Sequence, residues 1–132
     1  MMQVLQPPGW ARPKGYSNGI AARGGKLVFI AGQVGWSGDG HWHEAGFGGQ
    51  FRQALANLLA VLAEAGGKPE HLVRLTWYVI DKQEYLGALS EVGAAYRELI
   101  GRHYPAMTVV QVSGLAEDRA RLEIEATAVV PD

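Results

Sequence analysis

Apolar residues recur along this chain at two different periods, and the switches between them outline the fold. From Gln50 to Ala65 the apolar positions Phe51, Leu55, Leu58 and Leu62 are spaced four, three and four apart. That is one stripe of an amphipathic helix, and Gly66-Gly67 ends it. From Lys82 to Gly101 the residues Tyr85, Leu89, Val92, Tyr96 and Leu99 repeat the same rhythm, which predicts a second helix. Gly101 stops it and Pro105 prevents its resumption. Between them, Leu72 to Ile80 (LVRLTWYVI) is rich in β-branched and aromatic residues and reads as a strand. Thr108 to Val112 and Arg119 to Val129 read as the last two strands. Toward the start, Ser17–Arg23 and Lys26–Ala31 read as a hairpin turning at Gly24-Gly25, because both glycines tolerate positive φ. Residues 1–15 are expected to be irregular, with Pro7, Pro8 and Pro13 blocking regular pairing. Trp36 to Gly49 is glycine-rich, with a turn at Asp39-Gly40 and a short edge strand expected at His41-Trp42-His43. The order is ββ(β)αβαββ: an α+β domain spanning 1–132, with two helices packed on one face of a mixed sheet.

Alternation along the strands says what the other face of that sheet carries. In the last strand Leu122, Ile124, Ala126 and Ala128 fit beneath the helices, while Arg121, Glu123, Glu125 and Thr127 point away. In the middle strand the same split assigns Val73, Leu75, Trp77 and Val79 to the core and Arg74, Thr76 and Tyr78 to the far side. A solvated face would hold more Lys and Glu, and a buried one would hold no charge. The mixture suits a subunit interface with polar clefts, so an oligomer packed through its sheet faces is expected.

Composition narrows the function classes. At 132 residues the chain can bury a sizeable core, and 48% apolar with 19% charged residues excludes a disordered chain. Twelve basic and thirteen acidic residues give a net charge of -1, which argues against a nucleic-acid binder that relies on bulk positive charge. No cysteine is present, hence no disulfide, thiol nucleophile or Cys-based zinc site. The first residues lack the apolar core of a secretory leader, and no apolar run approaches membrane-spanning length. A cytoplasmic protein without membrane association is expected.

Several short segments acquire meaning together. Gly15-Tyr16-Ser17, Val28-Phe29-Ile30-Ala31-Gly32-Gln33, Gln53-Ala54-Leu55-Ala56-Asn57-Leu58, Ala65-Gly66-Gly67, Tyr104-Pro105-Ala106 and Glu123-Ile124-Glu125-Ala126 occur in this order from Gly15 to Val129. In this order and spacing the chain resembles the Rid superfamily, the reactive-intermediate deaminases also called the YjgF family. The resemblance implies a chorismate-mutase-like (YjgF-like) α+β fold and homotrimers with three clefts between subunits. It implies hydrolysis of imine and enamine metabolites such as 2-iminopropanoate, with no metal or cofactor. In such proteins an arginine after Pro-Ala clamps the substrate carboxylate, and a glutamate of the Glu-Ile-Glu motif positions or activates water. Here Met107 follows Pro105-Ala106, and a thioether cannot form a bidentate pair with a carboxylate. Val109 stands where a cysteine is usual, and Ser90 aligns near a usual asparagine. The resemblance therefore implies a subgroup without the clamp, whose substrate differs from the usual 2-imino acids or is held by Arg12, Arg23 or Arg74.

The candidate site residues each carry two readings. Glu123 is a general acid/base on bound water, or an interface ion-pair partner of Arg74, Arg119 or Arg121. Tyr16 is a substrate hydrogen-bonding group or cleft wall, or plain packing at a strand end. Gly32 lets the backbone approach a ligand closely, or simply turns the chain. Met107 lines an apolar substrate site or fills interface space. His41 and His43 have a spacing that can ligate metal, but no third ligand is evident beyond the nearby Asp39 and Glu44, and exposed loop histidines are the default. Trp36 and Trp42 cap a cleft or anchor their loop. Three functions follow: a cofactor-independent imine or enamine deaminase binding a small carbonyl-type metabolite, a non-catalytic small-molecule binder, and an endoribonuclease. No Lys or Arg lies between 27 and 51 to accompany the tryptophans, which argues against the last.

Overall fold

A computed structural model describes residues 2–42 and 46–132. Its strands and helices are β1 (Met2–Leu5), β2 (Gly19–Ala22), β3 (Lys26–Gln33), α1 (Phe47–Glu64), β4 (Leu72–Val79), α2 (Lys82–Gly87), α3 (Leu89–Leu99), β5 (Ala106–Gln111) and β6 (Leu122–Val130). Four strands form a mixed sheet in the order β3-β6-β4-β5, with β5 parallel to β4 and the other pairs antiparallel. The α+β expectation holds, with helices covering one face.

The core follows the predicted stripes. Phe51, Leu55, Leu58 and Leu62 of α1 are fully buried against Leu75, Leu122, Ile124 and Ala128 of the sheet. Truncating one of these leucines to alanine would cost about 2–5 kcal/mol. Gly67 sits where a Cβ would meet Leu62 Cδ1 at 2.4 Å, so the glycine lets the chain turn tightly under the end of α1.

Four expectations are corrected. Residues 2–5 are not irregular: they form β1 and pair antiparallel with β2, because the prolines lie beyond this strand. The Gly24-Gly25 turn has φ of 73° and 72° at its two residues, as a hairpin turn requires, yet β2 is laddered to β1 in a separate two-stranded sheet. In β4, Leu72 rather than Val73 enters the core, because the register against β6 shifts between Leu72 and Arg74. The second helix is two helices broken at Ala88 (φ -109°, ψ 12°), where the Ala88 N–H donates to Tyr85 O at 3.0 Å. Asp81 caps α2 by accepting from Gln83 N at 2.9 Å. The break turns Leu89 out of the stripe, and it is 47% exposed.

Candidate active site

The strands sort the expected site residues onto two sides of the sheet. Met107 sits beside Leu75 across the β4–β5 ladder and packs against the core on the helix side. Tyr16 joins it there. Ser17 is held to the start of β5 by its N–H donating to Pro105 O at 3.0 Å and its hydroxyl donating to Tyr104 O. That clamp brings Tyr16 and Met107 into one cavity of about 550 Å³, also lined by Trp77, Tyr85, Tyr96 and Tyr104.

The aromatic wall is built by contacts between rings. Tyr96 and Tyr104 stack with centroids 5.7 Å apart and planes 4° from parallel. Trp77 meets Tyr85 edge-on at 6.3 Å and Phe51 at 4.9 Å. The Tyr96 hydroxyl donates to His103 O at 2.7 Å, and burial, with Tyr104 adding to it, raises its pKa above the ordinary tyrosine value. Burial raises Tyr85 as well.

Glu123 and Gly32 meet on the opposite, helix-free side. Glu123 alternates with buried Leu122 and Ile124 along β6, which turns its side chain away from the helices. The carboxylate lies over the bare Cα of Gly32: a Cβ there would stand 2.7 Å from Glu123 Cδ. The glycine therefore opens the space the carboxylate occupies. A register shift between Ile30 and Gln33 in β3 brings Gly32 to this place.

Two of the three ionic alternatives for Glu123 are engaged elsewhere, and Arg74 is exposed and forms no ion pair among the described residues. Arg121 reaches Glu84 at 3.7 Å, and Arg119 lies 5.3 Å from the centroid of the Trp42 ring. Glu125 accepts from the Tyr78 hydroxyl at 2.6 Å. That bond raises the Tyr78 pKa, with partial desolvation and the charges of Glu125 and Glu123 adding to it. Among the described residues, the Glu123 carboxylate takes part in no ion pair or hydrogen bond. Farther along the same face, opposite Thr127 and Val129, stand Phe29, 73% exposed, and Leu27, 57% exposed.

The residues expected to share one crevice thus form two pairs on opposite faces of one copy. Arg12, Arg23 and Arg74, the alternative anchors, are exposed and line neither Met107 nor Tyr16. The glycine-rich loop is anchored: Trp36 and Trp42 pair with centroids 5.9 Å apart, and Asn57 of α1 donates to Val34 O at 3.1 Å. His41 Nδ1 lies 3.0 Å from Asp39, whose carboxyl is held down to about 2 by hydrogen bonds from Ser37 and His41. His43 and Glu44 lie outside the described residues, and with them the expected histidine pair. Sequence reasoning passed over Arg97, Tyr104 and the cavity role of Trp77. The signal available was the register between Tyr96 and its neighbours, which places Arg97 next to the stripe.

The family model described as Endoribonuclease L-PSP matches residues 10–130. A RutC family protein of Pyrococcus horikoshii is 32% identical over 130 residues, covering 97% of this chain and 98% of the relative. The chain belongs to the L-PSP, or Rid/YjgF, family. A Rid-family protein of unknown function from Yersinia pestis, YyfB, superposes with a TM-score of 0.86 at 30% identity, covering 98% of each chain. TdcF of Escherichia coli, by its name a candidate reactive intermediate deaminase, is 27% identical over 98% of this chain and 95% of its own. The Rid fold accounts for the mixed sheet and the helix-covered face. Among the described residues of this Rid protein, no helix is long and apolar enough to cross a membrane.

Proposed function

We propose that this Rid protein is a cytoplasmic hydrolytic deaminase of a reactive imine or enamine metabolite. It works without a cofactor in clefts between the copies of a homotrimer. The observation that carries the reading is the unpaired Glu123 carboxylate standing over the bare Cα of Gly32. The exposed Phe29 and Leu27 farther along the same face suit a surface that a second copy covers. In that arrangement Glu123 and Gly32 of one copy meet Tyr16 and Met107 of its neighbour, which reunites the two pairs.

The chemistry is a balanced addition and elimination. Glu123 takes a proton from water as the oxygen bonds to the carbon of the protonated imine, giving a carbinolamine. Glu123 then passes that proton to nitrogen and takes the hydroxyl proton as the C–N bond breaks, so that ammonia leaves and a carbonyl product remains. Gly32, having no side chain, leaves the Glu123 carboxylate room to stand at the substrate. Met107 offers the substrate no charge, so the substrate differs from the 2-imino acids selected by a guanidinium at that position of β5.

Turnover of imines generated in place by an amino-acid oxidase tests the reading. The wild type is expected to speed ammonia release, and Glu123→Gln to lose about a hundredfold or more of that rate. An unchanged rate in the variant would defeat the proposal. Met107 favours a second reading, a small-molecule binder without turnover. Ligand-induced thermal stabilisation with no acceleration for any imine is its signature.

A further inference from the structure

We propose that the cavity between β5 and α3 binds a carboxylate carried on a bulky, flat apolar body, and that Arg97 pairs with that carboxylate at the rim. The inference adds a substrate class to the deaminase reading and rests on that reading only in taking this acid as the substrate.

Three observations carry it. The first is shape and chemistry: a volume of about 550 Å³ is walled by Trp77, Tyr85, Tyr96 and Tyr104, with Met107 and Val109 on the floor strand. This falls within the range of roughly 300–1,000 Å³ typical of small-molecule pockets. A flat ring fits between such walls, whereas a short, hydrated acid would leave them uncovered.

The second is charge. Arg97 and Lys14 are the ionisable cations on the lining, and no Asp or Glu stands among the lining residues. Among the described residues neither cation has an acidic partner, in contrast to Arg52, which pairs with Glu98, and Arg121, which reaches Glu84. The Arg97 side chain folds back along α3 over Gly93: a Cβ on that glycine would stand 3.2 Å from Arg97 Nη1. Gly93 also lines the cavity, so the missing side chain lets the guanidinium lie at its edge. A planar guanidinium there can bond a carboxylate through two N–H groups, which Met107 on the facing strand cannot do.

The third is an orphan donor. Trp77 is 5% exposed, and its Nε1 is buried without a hydrogen-bond partner. Buried donors in natural cores are nearly always satisfied, so an orphan on a cavity wall marks a site completed by something else. A ligand that enters between the rings and shifts them slightly can bring an acceptor to it.

Calorimetric titration of the intact protein with phenylacetate, acetate and phenylacetamide tests this without any turnover. Phenylacetate is expected to bind at least about tenfold more tightly than either of the others. Arg97→Met is expected to reduce phenylacetate affinity to the level of phenylacetamide, and Arg97→Lys to restore part of it. Circular dichroism of both variants reports whether this exposed position leaves the fold intact. Acetate or phenylacetamide binding as tightly as phenylacetate, or phenylacetate affinity unchanged in a folded Arg97→Met, would overturn the proposal. Because no imine is turned over, failure here leaves the Glu123 test untouched, and failure of Glu123 chemistry leaves this binding result standing.

Discussion

On the helix side of the sheet, Tyr16 and Met107 stand in a cavity whose aromatic walls are complete within one copy. On the other side Glu123, half-buried, stands over Gly32 on a face that farther along carries Phe29 and Leu27 at 73% and 57% exposure. The first region is held by ring contacts and by the Ser17 clamp on β5, so its walls are in place before anything binds. The second gains its final environment only when something covers it. On the proposed reading, recognition and proton transfer fall on surfaces with different needs: one needs preformed packing and the other needs a partner.

The sharpest way to break this comparison is to spoil the open face and leave the cavity alone. Phe29→Glu introduces a charge where an apolar cover is expected, and a buried aromatic anchor of this kind contributes about 2 kcal/mol or more to association. The expected outcome is dissociation of the oligomer in sedimentation analysis, with loss of imine hydrolysis and with phenylacetate binding retained. An unchanged oligomer would remove the helix-free face from the interface. A smaller effect is expected from Gly32→Ala. Its new Cβ must push the Glu123 carboxylate aside, because it would stand 2.7 Å from Cδ. A displacement of about 1 Å at a reacting group costs on the order of tenfold to a hundredfold in kcat, with KM little changed.

The same two regions differ in how far the sequence revealed them. Phe51, Leu55, Leu58 and Leu62 announced α1 because a helical stripe is a local property, and the stripe is buried as expected. Glu123 was legible as a residue facing away from the helices because alternation along β6 is also local. The pairing of Tyr16 with Met107 was not legible, since it depends on Ser17 bonding to Pro105, which lies far along the chain. Nor was the separation of Met107 from Glu123: they occupy different strands, and only the register of β4 with β5 shows that Met107 shares a face with Leu75. Strand β1 escaped notice because its ladder partner, and not its own sequence, makes it a strand. The break at Ala88 interrupts a stripe that reads as continuous, and Gly87 just before it was the one local hint.

Two tyrosines give the gentlest test, because each side of the sheet raises one for a different reason. Tyr96 on the cavity side is raised chiefly by burial, and Tyr78 on the open side chiefly by its hydrogen bond to Glu125. A folded-state pKa above the unfolded one means the native protein holds its proton longer. The stabilisation is therefore fully present below the ordinary value of 10.0 and is lost as pH rises past it. Denaturation midpoints are expected to fall on the alkaline side of that value. Tyr96→Phe should flatten much of that decline, while costing about 0.5–1.5 kcal/mol near neutrality through the lost bond to His103 O. Tyr78→Phe should change the alkaline slope far less, because its hydroxyl stands on a face open to water. Equal changes of slope in urea unfolding of the two variants would mean that the open face is as well sealed as the cavity, and that the two regions do not differ as described.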